Sequence, residues 1–251
     1  MQCTTLYSRE NHRWMTFGQD PDKPGNVIDT NQLVVADGDT AMLLDPGGAE
    51  IFPQMIAGLT RKVQVDHVRH IFVSHQDPDV CSSLPLWRKV CPSDVKVYVP
   101  SIWTGFVAHF DPNTRVTAIP DQGMEVSVGR VRLRILPAHY LHSSGNFHVY
   151  DPAARVLFTG DVGGALMPSG GRGDVFVNRF DHHVQYMETF HRRWMGSPAA
   201  RDAWVAMVSR LDIDILAPQH GLMFKGDDVK RFIQWFGSLD IGTGVSAFAQ
   251  A

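Results

Sequence analysis

Cysteine is scarce in this 251-residue chain: Cys3, Cys81 and Cys91 make an odd count with no framework spacing. Such a set argues against a fold held by disulfides and for a reducing, cytoplasmic setting. Long apolar runs are missing too, and nothing approaches the roughly 18 consecutive apolar residues of a membrane span. The opening MQCTTLYSRENHRWM has no basic segment followed by an apolar one, so no signal peptide is expected. Charge of one sign is also lacking. With 23 Lys and Arg against 26 Asp and Glu, there is no basic footprint for nucleic acid and no polybasic membrane patch. We find no repeat, low-complexity block or linker. What remains is a chain of 44% hydrophobic residues, enough for one large core, and a single domain over 1–251 is expected. The tail from about 240 to 251 is small and polar and is expected to fray.

Strand and helix signals alternate along the chain. Residues 27–45 read as two strands joined through the Asp-Gly turn in ADGDT. Pro46-Gly47-Gly48 stops the second, and 49–60 has helical spacing with Pro53 in its first turn. VRHIFVSH (68–75) is a short, β-branched, buried-type strand ending at His75. A helix over 80–90, a strand at 95–99 and a short helix within 101–110 follow. Further strands are predicted around Val116, at 124–128, 131–136, 146–150, 155–158 and 213–218. Helices are predicted over 180–197, 199–210 and 227–238, and the glycine-rich 163–174 reads as a loop. Strands early and in the middle, with helices between and after, give an α/β class of αββα sandwich type.

Twelve histidines are present, and some stand where a strand pattern ends beside Gly, Pro or Asp. In IFVSHQDPDV, His75, Asp77 and Asp79 recur at every second residue, which on an extended loop puts all three on one side. One imidazole and two carboxylates so close carry excess negative charge that a cation relieves. PAHYLHSSGNF supplies His139 and His142, FTGD supplies Asp161, and APQHG supplies His220. Any one of these is explained by a turn or a lone histidine; their joint occurrence at strand ends points to a two-metal site. A balanced arrangement puts His75, Asp77 and His142 on one ion and Asp79 and His220 on the other, with Asp161 bridging. Three nitrogens and three carboxylates suit iron, zinc or manganese. His139 is a candidate to orient a ligand. Within FDHHVQYMETFHRRWM, His183 and Tyr186 are candidates to face the open side of the metals, against the plainer reading of an amphipathic helix with a core stripe. Cys81 reads as a small buried residue.

On these motifs the chain resembles the metallo-β-lactamase superfamily, over roughly residues 30–225. The usual H-x-H-x-D-H is here His75-Gln-Asp77-Pro-Asp79-Val80. A carboxylate in the third position resembles the diiron branch, the flavodiiron proteins and related oxygen-binding diiron proteins, where the last histidine does not ligate iron and Val80 is tolerated. Asp77 stands where Glu is commoner. LHSSGNFHVYDP, VLFTGD, PQHG and Leu43-Leu-Asp45-Pro-Gly47 extend the resemblance, and it favours His142 over His139 as the ligand. The resemblance implies two iron ions, with zinc or manganese as alternatives, and O2 or NO as the small ligand. No flavodoxin phosphate-binding segment or rubredoxin cysteine pair is evident in these 251 residues, so no flavin is expected in this chain. An oxygen sensor, or an oxidoreductase served by a separate electron-transfer or signalling protein, is the leading expectation, as a possible homodimer. The alternative is a dinuclear zinc hydrolase acting on an ester, lactone, thioester or phosphodiester.

Overall fold

The computed structural model describes residues 1–18, 26–168 and 174–250. Residues 169–173 of the predicted glycine-rich loop thus lie outside the described residues. The chain divides into two compact units, Met1–Leu136 and Pro137–Ala251.

The first unit is built on a seven-stranded sheet in simple chain order. Its strands are β1 (Gln2–Arg9), β2 (His12–Gly18), β3 (Gln32–Asp37), β4 (Thr40–Leu44), β5 (Val68–Phe72), β6 (Lys96–Pro100) and β7 (Val116–Ile119). β1 to β4 pair antiparallel, with tight turns joining β1 to β2 and β3 to β4, and β4 to β7 pair parallel. The change follows from the connections, since parallel neighbours need a crossover and helices supply it here. These crossovers include α1 (Phe52–Leu59), α2 (Pro78–Cys81), α3 (Leu84–Val90) and α4 (Thr104–Val107). Strands β3 and β4 are apolar almost throughout and almost wholly buried, as strands covered on both faces must be. One core joins Phe17, Val34, Leu43, Ile71, Val80, Leu84 and Trp87.

β8 (Met124–Val128) and β9 (Val131–Pro137) pair antiparallel, and β8 packs against β3 and β4. Arg130, in the β8–β9 turn, pins this contact. Its backbone N–H donates to the buried Asp37 carboxylate at 2.7 Å and its guanidinium donates at 3.2 and 3.3 Å. Those bonds hold the Asp37 carboxyl below the usual carboxylate range.

In the second unit β10 (Phe147–Asp151) pairs antiparallel with β11 (Val156–Gly160). β11 lies parallel to β12 (Ile215–Pro218), and β12 antiparallel to β13 (Phe224–Lys225). The β11-to-β12 crossover carries α5 (Phe180–Trp194) and α6 (Pro198–Val208), and α7 (Asp227–Ser238) follows. Helix α6 starts as its sequence dictates: the Ser197 hydroxyl accepts from the Ala200 N–H at 3.2 Å, with Pro198 next in line. Phe232 of α7 stacks on Phe224 and Phe236, at 4.7 and 5.9 Å between centroids.

Most predicted elements are present within a few residues, and the differences have local causes. The β1–β2 hairpin was not anticipated. β1 alternates poorly and is largely exposed, as an edge strand with one neighbour can be. The predicted helix at 80–90 is split into α2 and α3, because the Ser83 hydroxyl and N–H are drawn to the Pro46 and Gly47 carbonyls at 2.7 and 3.0 Å. In the tail, Thr243–Gln250 winds as a 3-10 helix, and the Thr243 hydroxyl donates to the Arg192 carbonyl at 3.0 Å. All three cysteines are free thiols, with Cys81 buried. Among the described residues no helix is long and apolar enough to cross a membrane.

Candidate metal centre

In the first unit the site residues follow β5. His75 is 1% exposed, and its Nε2 lies 3.6 Å from Asp77 Oδ2. Its other nitrogen is held from behind. Nδ1 sits 2.8 Å from the Ser74 hydroxyl oxygen, and that hydroxyl donates to Asp45 Oδ2 at 2.7 Å. A hydroxyl has one proton and here gives it to Asp45, so its oxygen must accept from His75 Nδ1–H. The Nε2 lone pair is then the one directed toward Asp77, which is the tautomer a metal ligand needs.

Asp45 is buried and also accepts the Ser74 N–H at 2.7 Å. Parallel pairing of Leu44 with Phe72 brings these distant positions side by side. Asp45 itself has φ of 51°, a left-handed conformation that Asp tolerates better than most residues. Gly47 follows at φ of +87°, where a Cβ would come within 2.7 Å of Ile51 and 2.8 Å of Gln32; only glycine fits there.

Asp79 does not continue the extended loop. The chain enters α2 at Pro78, with Asp77 extended at the helix start, so Asp79 lies in the first helical turn. Proline is well suited to that first helical position because its missing N–H has no partner to lose. The every-second-residue reading therefore holds for His75 and Asp77 and gives way to helical geometry at Asp79.

In the second unit three residues converge. His142 Nε2 lies 2.6 Å from Asp161 Oδ2, and His220 Nε2 lies 3.2 Å from Asp161 Oδ1. Each carboxylate oxygen of Asp161 thus faces a different imidazole. An imidazole nitrogen and a carboxylate oxygen at 2.6 Å repel unless a proton or a cation lies between them. The donor chemistry therefore fits a cation, and the two-sided placement fits a carboxylate shared by two of them. The candidate ligand atoms of His75 and Asp77 lie within 4.8 Å of each other, as do those of His142 and Asp161, close enough to share a metal ion.

Around these residues the aromatic side chains of α5 close in. The His142 ring meets Trp194 and Phe190 edge-on, at 5.5 and 6.5 Å between centroids. His139 packs edge-on against Phe147 at 5.0 Å. His183 is buried between Tyr186 and Phe224, at 6.1 and 5.8 Å, and Tyr186 is half-buried.

His191, one more residue on α5, escaped the sequence reading as anything but part of a core stripe. It is fully buried; its Nε2 accepts the Gly163 N–H at 2.9 Å and its Nδ1 lies 2.9 Å from the Met187 carbonyl oxygen. Burial pushes its pKa down to about 4, against weaker opposing effects of the Met187 hydrogen bond and the Asp161 charge. The ring is therefore neutral. Ser74 was likewise missed, though a small hydroxyl residue immediately before a ligand histidine is a signal that a search for orienting partners finds.

Two sheets with helices, and histidine and carboxylate sets at strand ends, define a protein of metallo-β-lactamase-like fold. A family model described as ODP family beta lactamase matches residues 28–221, and the chain belongs to that family. Among solved structures it is similar to the apo state of the chemotaxis sensor ODP from T. denticola, with 34% identity, 96% of each chain covered and a TM-score of 0.87. A structure described as the peroxy diiron species of the chemotaxis sensor ODP matches over 97% of each chain at 34% identity, with a TM-score of 0.85. A flavo di-iron protein from Thermotoga maritima shares the fold at 20% identity, covering 94% of this chain and 60% of that one, with a TM-score of 0.78. A curated relative, the nitric oxide reductase of Moorella thermoacetica, is 21% identical over 82% of this chain and 52% of its own length. The chain spans about half the length of the curated relatives it matches.

Proposed function

We propose that the two units act as one metallo-β-lactamase-like domain that holds a dinuclear iron centre and binds O2, as an oxygen sensor. In this reading His75, Asp77 and His142 hold one ion, Asp79 and His220 hold the other, and Asp161 bridges them. The observation that carries the reading is Asp161, with an imidazole nitrogen at 2.6 Å from one oxygen and another at 3.2 Å from the second. A bridging carboxylate must present its two oxygens to two ions, and this one is already divided between the two sides.

Iron is favoured over zinc by the donor set. Asp77 supplies a hard oxygen where the zinc hydrolases of this superfamily place a histidine, and Val80 supplies no donor at all. A ferrous pair held there would supply the electrons for O2 or NO chemistry. The protein's own residues do the rest. The Asp45–Ser74 pair keeps the His75 proton on Nδ1, so that Nε2 is always available. Phe190 and Trp194 give the His142 side an apolar wall, which admits small uncharged gases more readily than ions or sugars. His183 and Tyr186 of α5 are the polar side chains that would meet a bound gas in this reading. The sensing role is supported by 34% identity to a chemotaxis sensor along nearly the whole chain. The outgoing signal is passed to a separate protein, and the chain works as a homodimer.

The test is optical. Metal-free protein is loaded anaerobically with ferrous iron and mixed with oxygenated buffer in a stopped-flow spectrometer. A new absorbance band that rises with O2 concentration and scales with bound iron is expected. No spectral change, together with hydrolysis of ester or thioester substrates by zinc-loaded protein, would move the assignment to the hydrolases.

A further inference from the structure

The turn that carries Asp161 is tied together by its own backbone. The Val162 N–H donates to the Thr159 carbonyl at 3.1 Å, and the Gly164 N–H donates to the Asp161 carbonyl at 2.9 Å. Gly163, between them, has φ of +92°, and a Cβ there would stand 3.2 Å from both Leu216 and Phe224. Its N–H therefore points where the tight turn aims it, and it meets His191 Nε2 at 2.9 Å. That bond joins the turn to α5.

The ring that accepts it has little freedom. His191 is fully buried, and its Nδ1 lies 2.9 Å from the carbonyl of Met187, one helical turn back. A carbonyl only accepts, so Nδ1 carries the proton and Nε2 is the acceptor. Both nitrogens are used in one tautomer, and rotation of the ring would break both bonds. Phe232, Trp235 and Phe236 pack around it edge-on, at 6.0, 5.5 and 5.3 Å.

The same helix reaches the other ligand loop of this unit, since Phe190 and Trp194 lie against the His142 ring. Trp194 is 50% exposed, so one helix touches two ligand-bearing loops and also ends at the surface.

We infer that His191 is a positioning residue: through the Gly163 N–H it sets the direction of the Asp161 carboxylate, and through it α5 registers whether the centre is filled. The inference rests on Asp161 being a metal ligand. An outer partner that fixes a ligand typically accounts for about 10- to 100-fold in metal affinity.

His191→Gln and His191→Asn separate this role from simple core packing. Glutamine reaches the position of Nε2 and keeps an acceptor for Gly163; asparagine reaches only the position of Nδ1 and loses it. Metal-free wild type and variants are titrated with cobalt(II), a visible stand-in for ferrous iron, at a temperature below every melting point. His191→Gln is expected to bind within about threefold of wild type with the same visible spectrum. His191→Asn is expected to bind about 10- to 100-fold more weakly with an altered spectrum. Equal affinities and spectra for the two variants overturn the inference, even where both melt lower than wild type.

A second readout needs no variant. Cobalt should slow amide hydrogen exchange along α5 in wild type, and unchanged exchange there overturns the α5 part of the proposal. Wild type that takes up no cobalt removes the metal reading itself, and the inference with it. Wild type that binds two ions while the variants stay equal removes only the inference.

Discussion

Asp161→Ala is expected to fold and to bind almost no metal. The wild-type carboxylate has one imidazole on each oxygen, so its loss takes a ligand from both ions at once. The remaining donors would be His75, Asp77 and His142 on one side and Asp79 with His220 on the other, each set one ligand short, and the bridge that holds the pair together would be gone. Folding is retained because Asp161 stands at the end of β11, beyond the ladder that joins β10, β11 and β12. Asp161→Asn gives the graded case. Its amide oxygen still binds one ion while its NH2 group faces the other, so about one metal per chain should survive. Circular dichroism checks the fold and plasma emission counts the metal. Two ions per chain in Asp161→Ala would remove the bridging role.

Asp45→Ala should give the largest loss of stability of any single change near the site. Asp45 accepts both the N–H and the hydroxyl of Ser74, at 2.7 Å each, from a fully buried position. Removing it leaves the buried Ser74 N–H unsatisfied, at about 1–3 kcal/mol, and turns the hydroxyl toward another acceptor. Alanine adds about 1–2 kcal/mol for the positive φ that aspartate tolerates. A total loss of about 2–5 kcal/mol is therefore expected in denaturant unfolding of the metal-free protein. The effect extends to the metal. With Asp45 gone, the Ser74 hydroxyl is free to donate to His75 Nδ1, which places the imidazole proton on Nε2, where the ion binds. Metal affinity should fall by about 10- to 100-fold in any variant that folds. Asp45→Asn, which tolerates the backbone and keeps one acceptor, should fall between wild type and alanine on both measurements. Stability within about 0.5 kcal/mol of wild type would contradict the role given to this residue.

His75, Asp161 and His220 stood out as candidates because each follows closely on a short apolar strand, next to Gly, Pro or another polar residue. VRHIFVS before His75, VLFTG before Asp161 and ILAPQ before His220 are local patterns, and local patterns are what a sequence displays. The groups that hold those residues in place were less legible for the opposite reason. Asp45 and Ser74 are 29 positions apart and meet only because β4 and β5 pair in one register. His191 was absorbed by the helical periodicity of α5, where an apolar stripe explains a buried residue and gives no hint that both ring nitrogens are in use. Asp79 shows the limit of a rule applied one residue too far: proline at 78 read as a stiffener of the loop and is in fact the first residue of a helix. The β1–β2 hairpin was missed because an exposed edge strand needs no apolar alternation to be held by its neighbour.

The central claim is a dinuclear iron centre, and metal content tests it most directly. Protein made in iron-supplemented cells and purified without chelators should carry about two irons per chain by plasma emission, with zinc well below that. Two zincs per chain with iron absent, or no bound metal at all, would contradict the account.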